Sequence, residues 1–261
     1  SKNTKAIILV HFGGYMPHDI RAIRSFCKKK NIKIIEDCAH AIGSKIDRYK
    51  AGTLGLSGCF SFFSTKTITT AEGGMITTND KKFYEYALSM RTRGNIKNLS
   101  VELYDKIGRN CRPSEISALL GIAQMKNIIK INNLRSRVVK IYNNCIKSDK
   151  NLDSLEILKN SKLSIWKYIA IINNNKISRS ELQKVLKYKY KININWAYTP
   201  LLHNQPIFKK FLNQKDKRKL KKTETLCKKH FHLPLHTLVT SKKANYIVKS
   251  LKLAINEILS K

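Results

Sequence analysis

No stretch of this chain approaches the roughly 18–20 consecutive apolar residues that a membrane-crossing helix needs. The longest run near its start, Ala6-Ile7-Ile8-Leu9-Val10, has the length of a buried strand. The six cysteines, at 27, 38, 59, 111, 145 and 227, contain no C-x-x-C pair and no metal-ligand spacing. Neither a disulfide scaffold nor a bound metal is therefore expected, and the thiols read as reduced, cytoplasmic ones. Repeats at solenoid periods are missing too, which excludes a stacked array. Ser1 to Lys5 offers neither an initiator Met nor the apolar core of a signal peptide, so the reading is of a start inside a longer gene product or after processing.

Acidic residues are scarce, 17 against 51 Lys and Arg, for a formal net charge of +34. That imbalance raises a basic polyanion-binding module as one reading. The excess is spread among Asn and Ile along the whole chain, however, as A/T-rich coding would leave it. Its densest clusters, Lys28-Lys29-Lys30 and Lys215 to Lys222, lack the interleaved aromatics of a base-stacking platform. Specific nucleic-acid recognition is not expected; loose, salt-sensitive affinity for polyanions is.

What is present suits a globular protein: 261 residues, 42% of them hydrophobic, enough for one large domain or a large and a small one. The first third alternates strands and helices. Ala6 to Phe12 reads as a strand, Gly13-Gly14 as a turn, and Asp19 opens a helix with Ile20, Ile23, Phe26 and Cys27 on one face. Ile32 to Ile35 is a second strand running into Glu36-Asp37, at the strand end where open α/β sheets bind ligands. Cys59–Phe63 and Met75–Thr78 read as strands joined through Gly73-Gly74, and Asn79 or Asp80 caps a helix. One long helix is predicted from Pro113-Ser114-Glu115 to about Asn144. Beyond about 145 the texture becomes a smaller α+β lobe, and the predicted domains are 1–134 and 135–261.

Three fragments carry chemistry jointly: Glu36-Asp37-Cys38-Ala39-His40, Ser61-Phe62-Phe63-Ser64-Thr65-Lys66 and Ala71-Glu72-Gly73-Gly74. A carboxylate at one strand end, and a Lys after another strand with hydroxyls before it and Gly-Gly after it, supply what pyridoxal phosphate requires. Those requirements are an amine for a Schiff base, an anion facing the pyridine nitrogen, and donors for the phosphate. Strand alternation turns Glu36 to the face opposite Asp37, so Glu36 reads as structural.

With the strings VHFGG, IIEDCAHAIGS, GTLG, CFSFFSTK, EGGMITTND, GRNCRPSEISALLGIAQM and LPLH in order, the chain resembles the DegT/StrS family of pyridoxal-phosphate-dependent sugar-nucleotide aminotransferases. The resemblance implies the α/β aminotransferase fold of type I, a large α/β domain, here partial, with a smaller α+β C-terminal domain. It implies that Lys66 forms the Schiff base, Asp37 faces the pyridine nitrogen, His40 packs on the cofactor or bonds its ring hydroxyl, and Ser61 holds the phosphate. Asn110 would reach a neighbouring subunit's phosphate, making a homodimer with a shared site; Arg112 is a further candidate for charge near a phosphate or carboxylate. The implied reaction moves an amino group, from glutamate, to a keto-sugar nucleotide. Lys66 separates the chain from related sugar dehydratases, which have His there. Members also carry a section before the VHFGG strand that has no counterpart here, so a truncated, non-catalytic homologue is the alternative.

Overall fold

The computed structural model describes residues 1–96, 101–211 and 220–261; the Lys-rich stretch 213–219 lies outside them. Ala6–Val10 forms strand β1, and Lys33–Asp37 forms β2, joined through helix α1 at Ile20–Lys29. Two-residue strands β3 (Lys45–Ile46) and β4 (Tyr49–Lys50) follow, then β5 (Ser57–Ser61) and β6 (Gly74–Thr77). The first sheet runs β1-β2-β5-β6, with β1, β2 and β5 parallel and β6 antiparallel to β5. Val10 pairs with Asp37 and Asp37 with Cys59, so the carboxyl ends of the three parallel strands share one edge of the sheet.

Under this sheet Met16, Ile20, Cys38, Ala41, Ile46 and Leu54 form a core. The all-apolar β1 has the composition of a strand covered on both faces, yet Ile8 and Val10 are 69% and 50% exposed at the sheet's open edge. Helix α2 (Lys81–Arg91) starts at Asp80, whose carboxylate accepts the Phe83 N–H at 2.7 Å. Asp80→Ala is expected to cost about 1 kcal/mol by removing the cap, read as a shift in the urea midpoint at unchanged slope.

The single helix predicted from 113 to 144 is two. Helix α3 covers Glu115–Lys126 and α4 covers Ile128–Lys147. Asn127 parts them: its side-chain amide donates to Ala123 O at 3.1 Å and its N–H to Gln124 O. Such local hydrogen bonds compete with the helical ladder. No residue of α3 is buried, and Ile116 is 82% exposed.

The chain divides into two compact units, one of 1–133 with 157–166, the other of 134–156 with 167–261. Segment 157–166 belongs to the first through β8 (Ser161–Lys162), which pairs with β3. The second unit has a three-stranded antiparallel sheet. Its order is β10-β9-β7, from β7 at Leu152–Ser154, β9 at Tyr168–Ile172 and β10 at His230–Leu233. Helices α5 (Arg179–Tyr190), α6 (Pro206–Phe211), α7 (Lys221–Lys229) and α8 (Ser241–Leu259) complete it. Helix α8 buries Ala244, Ile247, Leu251, Ala254 and Ile258, a helical spacing that presents one apolar stripe, while Leu182 and Leu186 are the buried residues of α5.

Candidate active site

The two acids ending β2 have opposite environments, as strand alternation requires. Glu36 is fully buried, and its carboxylate accepts Gly52 N–H at 2.8 Å and Leu54 N–H at 2.6 Å and pairs with His11 Nε2 at 2.9 Å. It ties the end of β1 and the 52–54 turn to the middle of the sheet. Asp37, half-buried, accepts Ala39 N–H on Oδ1 at 3.0 Å. Its Oδ2 has no protein partner among the described residues.

His11, Glu36 and Cys38 place potential ligand atoms within 4.8 Å of one another. The carboxylate there already accepts two backbone N–H groups and pairs with His11. Burial first, then the charges of Glu36 and Asp37, push the Cys38 thiol far up, so the thiolate a metal needs is disfavoured. The cluster is structural. In the native protein at pH 8, iodoacetamide is expected to alkylate exposed Cys111 and leave Cys38 unmodified until denaturant is added, as peptide mass spectrometry would show.

Lys66 stands on a loop closed at its base by one residue. Phe62 donates its N–H to Gly73 O at 2.9 Å and accepts Thr70 N–H at 2.9 Å and the Thr69 hydroxyl at 3.0 Å. Ile68, 1% exposed, anchors the loop inward, and Thr69 N–H donates to Gln124 Oε1 of α3 at 3.0 Å. Within the loop Lys66 N–H closes a turn onto Phe63 O at 3.0 Å. Ser61, at the end of β5, accepts Phe63 N–H at 3.3 Å, which leaves its hydroxyl proton able to donate elsewhere.

Lys66 and His40 meet on a residue the sequence reading did not single out. The His40 ring stacks on Trp166 with centroids 4.0 Å apart and planes 22° from parallel, and Lys66 Nζ lies 4.6 Å from the Trp166 ring centroid. His40 Nδ1 accepts Gly13 N–H at 3.2 Å, which puts the neutral ring's own proton on Nε2. Asn110, itself exposed, forms an isolated bridge with Thr92, and its Oδ1 accepts Arg112 Nε–H at 3.2 Å.

These residues fit pyridoxal phosphate. The Oδ2 of Asp37, without a protein partner at the sheet edge, suits a ring N–H, the Nε2–H of His40 suits an oxygen acceptor, and Lys66 supplies the amine. The chain is also similar to known proteins. The model of the DegT/DnrJ/EryC1/StrS aminotransferase family matches residues 1–252. GDP-perosamine synthase of Escherichia coli O157:H7 is 33% identical over 266 residues, covering 100% of this chain and 67% of the relative. GDP-4-keto-6-deoxy-D-mannose 3-dehydratase of Yersinia pseudotuberculosis is 31% identical over 71% of this chain and 51% of its own length. Among solved structures, Helicobacter pylori PseC, an aminotransferase involved in the biosynthesis of pseudoaminic acid, superimposes with a TM-score of 0.89. It is 25% identical over 98% of this chain and 68% of its own. By motif order, fold and sequence alike, the chain belongs to the DegT/DnrJ/EryC1/StrS aminotransferase family.

Proposed function

We propose that this chain transfers an amino group from glutamate to the keto carbon of a nucleotide-linked sugar, with Lys66, Asp37 and His40 as its reacting and cofactor-holding residues. The carrying observation is the gathering of Lys66 and His40 on Trp166 in the unit whose sheet edge bears Asp37. Pyridoxal phosphate, when bound, supplies an aldehyde and an electron-withdrawing ring.

The protein's own part is positional and protolytic. Asp37 Oδ2 holds a ring N–H and so keeps its proton in place. His40 Nε2–H orients an oxygen, and Ser61 Oγ–H donates to a phosphate. Lys66 Nζ moves a proton at the substrate's reacting carbon. Asn110 reaches the phosphate of a second copy in a homodimer. Lys66 favours amine transfer over the dehydration named for the Yersinia relative. Absence of a membrane-crossing helix among the described residues fits a cytoplasmic place of work.

The test is a pair of half-reactions: glutamate converting the cofactor's visible band to that of its amine form, then a keto-sugar nucleotide restoring it. Failure of the second half with every keto-sugar nucleotide, the first being intact, would defeat the substrate assignment. A non-catalytic homologue is the second reading, favoured by the exposed β1 edge and α3 face; failure of both halves in a folded chain would establish it.

A further inference from the structure

We infer that Trp166 is a positioning residue of this site, setting the Lys66 amine and the His40 imidazole on one indole. The inference rests on Lys66 being the lysine that takes the cofactor. Two bonds hold Trp166, one at its backbone and one at its ring. Its backbone N–H donates to Gly13 O at 2.7 Å, in the same turn whose Gly13 N–H holds His40 Nδ1, and its Nε1–H donates to Thr65 O at 2.5 Å, the carbonyl immediately before Lys66.

The segment carrying Trp166 is itself pinned. Ser164 N–H donates to Ser44 Oγ at 2.8 Å and the Ser164 hydroxyl to Asn132 Oδ1 at 2.8 Å, while Ser44 Oγ–H donates to Gly14 O at 2.9 Å. Gly14, at φ +96°, admits this approach: a Cβ there would lie 2.1 Å from Ser164 O. The indole is therefore a rigid platform rather than a surface ring that happens to be near.

A flexible four-carbon amine loses rotamer entropy when it must meet an aldehyde in one place. A ring face that attracts the amine, and a bond that fixes the preceding peptide, remove much of that loss beforehand. The same face stacks His40, so one side chain sets the spacing of two functional groups.

The experiment uses the full chain with pyridoxal phosphate, borohydride fixation and mass mapping of the label at Lys66. Trp166→Ala is expected to lower fixation at Lys66 about tenfold at limiting cofactor, with other lysines labelled as before. Trp166→Phe, which keeps an aromatic face, is expected to recover most of it. Equal labelling of Trp166→Ala and parent would overturn this inference alone; a parent unlabelled at Lys66 would overturn the assignment of Lys66 and this inference with it. A readout without cofactor covers the case in which Trp166→Ala fails to fold. In Trp196→Phe, Trp166 is the only indole, and the stacked His40 ring, 4.0 Å away, predicts that His40→Ala changes its emission at fixed pH. Emission unchanged by His40→Ala would overturn the stacked arrangement.

Discussion

Lys66→Ala is expected to abolish borohydride-fixed cofactor at position 66 completely, while the diffuse background on other lysines stays unchanged. The comparison matters in a chain with 51 Lys and Arg, where any aldehyde finds surface amines. What distinguishes Lys66 is its mounting: a loop gathered at Phe62, anchored by buried Ile68, with the amine over Trp166. The loop is gathered by bonds of Phe62, Thr69, Thr70 and Gly73, which Lys66→Ala leaves in place. Lys66→Ala should accordingly unfold within about 0.5 kcal/mol of the parent. Lys66→Arg keeps a cation over the indole but cannot form the covalent link, and should lose fixation equally. A label map unchanged by Lys66→Ala would refute the assignment.

The largest loss of stability is expected one residue from the site, at Glu36. Its buried carboxylate satisfies two backbone N–H groups and His11. Removing it strips those buried donors of their acceptor, at about 1–3 kcal/mol for each group left unpaired. For Glu36→Ala we expect about 3–5 kcal/mol, against a typical total of about 5–15 kcal/mol. Denaturant titration measures it, and a loss below about 1 kcal/mol would contradict the account. Glu36→Gln keeps the volume and one good acceptor and should fall between. Because Glu36 braces the end of β1 and the 52–54 turn beside Asp37, cofactor capture should weaken with it.

The elements written in local signals were legible from the sequence. Asn79-Asp80 marked the start of α2, because a short acceptor before an amphipathic run caps a helix, and the Phe83 N–H decides for Asp80. The placement of Asp37 at a strand end followed from an apolar run stopping at two acids, and the structural reading of Glu36 from alternation alone. The break at Asn127 was not legible, since the apolar spacing continues through it and only the amide's turn toward Ala123 O stops the helix. Trp166 was not legible either. Nothing in Ser164-Ile165-Trp166 marks it for a site one hundred residues earlier, and the contact exists because Gly14 lets another backbone pass.

The return of residues 157–166 to the first unit also bears on when the site can exist during synthesis. The ribosome makes His40 and Lys66, then residues 134–156, which belong to the other unit, before delivering Trp166. At about 5–20 residues per second, the hundred residues from 66 to 166 take roughly 5–20 s. For that interval the nascent chain carries an amine and an imidazole without their indole, and a sheet without β8. Completion of this site waits on a residue made a hundred positions after its lysine, so a long-range closure, and not the strands that bear its acids, sets when it can exist.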